Sequence, residues 1–250
     1  MWQVVTARAT GTSHVASGLP CQDRETFRLV DDADGGEAAI GVVCDGAGSA
    51  RYSEVGAELV SSALRTIAGS FISDYGSSKI SPLYMQRWVE EIRQRLRDQA
   101  DALGADSRDY ACTLVFAIAS DASTICGQIG DGAIIVREDD VLRVPIWPEN
   151  GEYANQTFFV TQEDSHNRLQ CAKLGPVSEF VLFSDGLQRL ALNEAEKRPH
   201  AAFFEPLLRT VRRAEQLDDL EESLEKFLNS DRINQKTDDD KSIVVACRIG

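Results

Sequence analysis

The run Ala38-Ala39-Ile40-Gly41-Val42-Val43-Cys44-Asp45-Gly46 decides the fold. It carries no charge until it ends abruptly in Asp-Gly, so it reads as an apolar β-strand stopped by a tight turn. Upstream, Gln3 to Ala9 and Glu25 to Val30 have strand character, and Asp31-Asp32-Ala33-Asp34-Gly35-Gly36 joins the second of these to the apolar run as a hairpin turn. That turn has some of the look of a calcium loop, but it lacks the acidic ligand expected several residues later, which leaves the turn reading. Downstream the pattern changes period. Val55, Leu59, Val60, Ala63, Leu64, Ile67 and Phe71 recur every three or four residues, which predicts an amphipathic helix from Ser53 to Ser73 with Ser53 as its cap. A second helix is expected from Pro82 to Leu103, with proline in its first turn and Met85, Trp88, Val89, Ile92, Leu96 and Leu103 on its apolar side.

The same reading continues outward. Strands are expected at Cys112 to Ala119, Thr124 to Ile129, Ala133 to Arg137 and Val141 to Val144, as an antiparallel meander. A Pro-, Glu-, Asn- and Gly-containing loop, Pro145 to Asn155, leads to a strand at Thr157 to Val160. An irregular stretch then runs to Pro176, followed by a buried strand at Val177 to Phe183. Helices at Ala201 to Ala214 and Leu217 to Leu228 and a last strand at Ser242 to Arg248 complete the chain. Strands, two helices, strands, helices, then a strand is the order of an α+β layer sandwich, not of repeated βαβ units. No linker or internal repeat divides residues 1–250, so one domain is expected.

Composition narrows the function. The chain is 43% hydrophobic and 26% charged, a globular profile. Its net charge of −14 lacks the clustered Lys and Arg that a polyanion needs, so no nucleic-acid partner is expected, and a metal or cationic partner fits better. The six cysteines show no CxxC spacing and read as free, packed thiols, Cys21 among them. No apolar run is long enough to span a bilayer, and the N-terminal residues lack a signal-peptide pattern, so the expectation is a cytoplasmic protein with no membrane partner.

The acids carry the chemistry. Asp45, Asp131, Asp185 and Asp239 each stand at the end of an apolar strand or just before one, beside residues that allow a tight turn. A single strand-end Asp-Gly is ordinarily a turn former. Several, on strands that lie side by side, would aim oxygen ligands at one rim, where hard divalent cations prefer carboxylate and carbonyl oxygen. Glycine at position 46 would also let its carbonyl approach an ion.

These residues, in this order, resemble the protein phosphatase 2C family of metal-dependent Ser/Thr phosphatases. The resemblance runs through Gly11-Thr12-Ser13-His14 to Pro20-Cys21-Gln22-Asp23, Asp45-Gly46-Ala47-Gly48-Ser49, Ala111-Cys112-Thr113, Gly130-Asp131-Gly132, Ser184-Asp185-Gly186 and Asp239-Asp240-Lys241-Ser242. It is strongest to a short bacterial branch, through Pro20-Cys21-Gln22-Asp23, Gly151-Glu152-Tyr153-Ala154-Asn155 and Thr237-Asp238-Asp239-Asp240-Lys241. The resemblance implies a four-layer α-β-β-α sandwich, with two central, mainly antiparallel sheets flanked by helix pairs. It also implies two Mn or Mg ions at one end. Asp45 would bridge them, the Gly46 carbonyl would bind one, Asp185 and Asp239 would complete the other, and Asp23 would act through ordered water. A water between the ions would attack phosphorus in line. The substrate would be a phosphoserine or phosphothreonine protein, with a Ser/Thr kinase as signalling partner.

The chain also departs from the family's pattern. Asp131 matches a residue that helps hold a third ion, but its usual partner is replaced by Arg189. The arginine that many members use for substrate phosphate is Gly18 here, leaving His14, Arg24 or Arg51 as substitutes; Gln22 stands where a Glu is common. Two other readings stay open on sequence: a catalytically inactive binding module, and a dimetal hydrolase of small phosphate esters.

Overall fold

The computed structural model describes residues 1–148 and 157–249. In chain order the elements are β1 (Trp2–Ala9), α1 (Thr12–Ser17), β2 (Arg24–Asp31), β3 (Glu37–Cys44), α2 (Ser53–Tyr75), α3 (Pro82–Leu103), β4 (Leu114–Ala119), β5 (Thr124–Ile129), β6 (Ala133–Glu138) and β7 (Val141–Arg143). They continue with α4 (Ser165–Arg168), β8 (Gln170–Leu174), β9 (Glu179–Phe183), α5 (Gln188–Ala191), β10 (Leu192–Asn193), β11 (Arg198–Pro199), α6 (Ala201–Arg213), α7 (Leu217–Leu228), α8 (Asp231–Asn234) and β12 (Lys241–Arg248).

Two five-stranded sheets form the centre, ordered β1-β12-β9-β6-β7 and β2-β3-β4-β5-β8, and every neighbouring pair is antiparallel. β3 shows why its sequence is apolar throughout. Ile40, Val42 and Cys44 face Val60, Leu64, Ile92 and Leu96 on α2 and α3, while Ala39 and Val43 face Val115, Leu182 and Val244 between the sheets. A strand covered on both faces has no solvated side on which to alternate. Gly41 lies at a close approach of the two sheets, since a Cβ there would stand 2.8 Å from the Phe180 ring. On the opposite side, Phe204, Leu208 and Val211 of α6 and Leu224 and Leu228 of α7 cover β1, β9 and β12. The result is an α-β-β-α sandwich with three stacked apolar layers, as expected.

Four local expectations change. The expected meander divides after β5: residues 130–132 carry the chain from one sheet to the other, so β6 pairs with β9 and not with β5. Residues 157–160 form no strand; only the Val160 amide reaches across, to the Cys112 carbonyl at 2.9 Å. β8 lies inside the stretch expected to be irregular, because β5 offers an open edge for it to pair with. Ser53 is the first residue of α2, buried and without a capping hydrogen bond; the Tyr52 amide before it donates instead to the Asp109 carbonyl at 2.7 Å. The Gly151-to-Asn155 segment lies outside the described residues. Cys171 is exposed and Cys21 half-buried, while the other four thiols are buried; all six are free.

A candidate metal centre at one end of the two sheets

Strand register brings the acids together. Phe183 pairs with Ala133 on one side and Ile243 on the other, so the Asp131 turn, Asp185 after β9 and the residues before β12 share one end of their sheet. In the facing sheet Arg24 pairs with Cys44, and Val43 pairs with Val115, which places Asp23, Asp45 and Thr113 at the same end. At the opposite end the same strands close on an ion network: Arg137 donates to Glu179 at 2.5 Å, and Arg212 meets Glu179 at 3.0 Å.

Asp45, Asp131 and Asp185 each offer a carboxylate oxygen, and these oxygens all lie within 4.8 Å of one another. Asp45 is held at both backbone ends: its amide donates to the Thr113 hydroxyl at 3.0 Å, and its carbonyl accepts from the Thr113 amide at 2.8 Å. Gly46 is pinned through its amide to the Gln22 carbonyl at 3.2 Å. A Cβ on Gly46 would come within 2.8 Å of Ser53 and 2.9 Å of the Gln22 carbonyl, so glycine is required by space. Asp131 is oriented by the Thr157 hydroxyl at 2.7 Å, and its carbonyl accepts from the Gln188 amide group.

Like charges packed together out of water favour protonation. Burial, reinforced by Asp23, Asp185, Asp131 and Asp239, drives the Asp45 carboxyl well above its ordinary range. Burial and the charges of Asp131 and Asp239 push Asp185 up to about 7. Asp131 is raised as well, by burial first. These groups disfavour their own ionised forms, and among the described residues none of the three pairs with a cation side chain. A hard divalent cation is the partner that such an all-oxygen set fits.

Behind them lies Asp23, only 1% exposed. Its Oδ2 accepts from the Ser184 hydroxyl at 2.6 Å, while its buried Oδ1 has no partner among the described residues. Burial pushes it up to about 8 against the opposing Ser184 hydrogen bond, with the charges of Asp240 and Asp185 adding to the effect. An unpartnered, buried carboxylate oxygen is suited to ordered water.

The other sequence-predicted residues divide. Asp239 is exposed and its oxygens lie outside the tight trio, although its charge acts on all three members. His14, on α1, is half-buried with its Nδ1 2.8 Å from Asp240 Oδ2. Arg51 is exposed, its guanidinium 5.0 Å from the Tyr52 ring centroid. Arg24 is occupied by the carbonyls of Cys21 and Asp23 at 2.8 and 2.7 Å and by Glu58 at 3.2 Å. Arg189 is exposed and lines a groove against α6 and α8. Burial lifts the Cys21 thiol to about 12, as befits an unreactive packed thiol.

Sequence reasoning gave no role to Asp240. Its Oδ1 accepts from the Gly11 amide at 2.6 Å, and its Oδ2 from the Gln22 amide at 2.6 Å as well as meeting His14. This clasp ties β12 to the segment that bears Asp23, and through the Gln22 carbonyl to Gly46. Ser184 and Thr157 were likewise unassigned, because a hydroxyl in a turn motif gives no sign of which carboxylate it will meet.

Comparison with known proteins gives a family and a fold. A family model described as Protein phosphatase 2C matches residues 10–229. Serine/threonine-protein phosphatase 3 of Escherichia coli (strain K12) is 38% identical over 248 residues, covering 98% of each chain. Among solved structures, one titled as a bacterial serine phosphatase superposes with a TM-score of 0.67 at 14% identity, covering 100% of this chain and 99% of its own. Serine/threonine phosphatase Stp1 from Staphylococcus aureus does so with a TM-score of 0.65 at 14% identity, covering 100% and 96%. At such identities the superpositions speak for the fold alone.

Proposed function

We propose that this chain, which belongs to the protein phosphatase 2C family, acts as a single catalytic domain that hydrolyses phosphoserine and phosphothreonine in proteins with the help of two divalent ions, Mn or Mg. The observation that carries the reading is the Asp45, Asp131 and Asp185 trio, whose oxygens converge within 4.8 Å although burial opposes their charge. Similarity to a relative named as a serine/threonine-protein phosphatase along nearly its whole length supports the same activity.

In this reading Asp45, Asp185 and the Gly46 carbonyl hold the ions, Asp239 joins from the rim, and Asp131 serves either this pair or a third ion. When bound, the ions supply Lewis acidity that lowers the pKa of an attacking water and offsets charge on the phosphoryl oxygens. The protein's own part is positional. Thr113 fixes Asp45 from both sides, Thr157 aims Asp131, and Asp23, held by Ser184, presents its free oxygen for ordered water. No side chain is asked to be a nucleophile. Of the three cations named from sequence, Arg24 is engaged in the fold and His14 is bound to Asp240, which leaves Arg51 as the one to meet substrate phosphate.

The test is hydrolysis of phosphoserine and phosphothreonine peptides with Mn or Mg, with chelator and with Asp45→Asn. The expected outcome is turnover that chelator stops and that Asp45→Asn lowers at least about a hundredfold. A silent wild type, or faster turnover of nucleotides or sugar phosphates than of any phosphopeptide, would overturn the reading.

A further inference from the structure

The helices covering the β1-β12-β9-β6-β7 sheet leave a groove of about 670 Å³ beside the acid cluster. Its floor is apolar, with Phe203, Leu224 and Phe227 among its lining residues, and its rim bears Arg189, Arg232 and Lys236. Phe227 is 39% exposed, and its ring lies 6.3 Å from that of Phe203. Among the described residues none of the three rim cations has an ion-pair partner. No Asp or Glu among the described residues lines the groove, in a chain with 40 acids against 26 Lys and Arg. Its charge is therefore opposite to that of the molecule as a whole.

Covalent geometry sets its distance from the trio. Arg189 follows Asp185 along one 3-10 turn and the first turn of α5, about 7 Å of helix rise. Lys236 precedes Asp239 by three peptide units, at most about 10 Å. The Arg189 and Lys236 rim of the groove thus lies on the order of 10–15 Å or less from the acid cluster, a span of about three to five extended residues.

We propose that this groove docks a segment of the phosphoprotein substrate in which aromatic or aliphatic side chains alternate with Asp and Glu, about three to five residues from the phosphorylated one. The inference rests on the phosphatase reading for the word substrate, but not for the binding itself. The apolar floor supplies affinity, and the cationic rim selects against basic and neutral segments. With a net charge of −14 on the whole molecule, a groove lined by cations and no described acid offers such a segment a favourable local field. An acidic docking segment also keeps Asp and Glu near, but not inside, the carboxylate cluster.

The decisive measurement is fluorescence anisotropy with a fluorescein-labelled, unphosphorylated peptide of Asp, Glu, Leu and Phe, against the same peptide with Lys in place of the acids. Wild type is expected to bind the acidic peptide preferentially, and Arg232→Glu with Lys236→Glu to weaken that binding about tenfold. Both changes are on exposed side chains, and a thermal melt checks that the fold survives. With the phosphate attached, the acidic-flanked peptide should lose a similar factor in kcat/KM in the variant, while a small aryl phosphate should not. Equal binding of the two peptides, or binding indifferent to the double reversal, would overturn the proposal. So would sedimentation showing a self-associated protein that the double reversal makes monomeric, since a second copy would then be the occupant. Peptide binding without hydrolysis of either ester supports the groove and refutes the phosphatase reading; hydrolysis of the phosphopeptide without groove-dependent binding does the reverse.

Discussion

Cation binding at the trio should release protons and strengthen with pH, because the metal-free site holds its acids partly protonated. The perturbation is a titration of the metal-free protein with Mn or Mg near pH 6, 7 and 8. Asp185 stands at about 7, through burial first and then through Asp131 and Asp239. At neutral pH it is therefore about half protonated, and ligation requires it to ionise. For one such acid the apparent affinity falls by a factor of about ten between pH 8 and pH 6, or about 1.4 kcal/mol for each pH unit below its pKa. Asp45, also raised well above its ordinary range by burial, adds to the slope. Calorimetry in two buffers of different ionisation enthalpy reads the effect directly, since the difference in observed heat counts protons released. About half a proton or more per binding event is expected near pH 7. Asp185→Asn should bind more weakly and lose much of the pH slope. Buffer-independent heats with a pH-independent affinity would refute the argument that burial and mutual repulsion poise this cluster for a cation.

Three further outcomes follow from the structure around the site. Ser184→Ala removes the donor to Asp23 at 2.6 Å and the acceptor of the Ser242 amide at 3.0 Å; leaving both buried partners unmet should cost about 2–4 kcal/mol, and an unchanged melting temperature would refute this. Asp240→Asn keeps the shape of the clasp but cannot accept from the Gly11 amide, the Gln22 amide and His14 at once; a loss of about 2 kcal/mol with faster amide exchange near Gln22 is expected, and normal exchange there would count against the clasp. Glu25 is raised to about 7 by burial, against the opposing pull of Arg8. Because the folded state holds this proton more tightly, stability must fall as pH rises from about 4.5 to about 7, by up to roughly 3 kcal/mol, and Glu25→Gln should flatten that fall in urea melts. Parallel profiles for wild type and variant would sink the assignment.

What the sequence determined by itself is considerable. The uncharged run through β3 specified a strand, the three- and four-residue spacing specified α2 and α3, and the Asp-Gly motifs marked Asp45, Asp131 and Asp185 as strand-end acids. Each of these signals is local, set by side-chain period or by the backbone freedom of glycine. The structure alone decided what depends on contacts between distant residues. It sent β6 to the second sheet, placed Asp239 at the rim outside the trio, and turned His14 away to Asp240. It also found Thr157 for Asp131 and Ser184 for Asp23, partners separated by 26 and 161 positions. No period in a sequence encodes which of many hydroxyls will meet a given carboxylate, because that choice is made when the sheets pack and a buried oxygen must be satisfied or left for water. The acids were legible because they must be acids; their neighbours were not, because only the packed fold makes them neighbours.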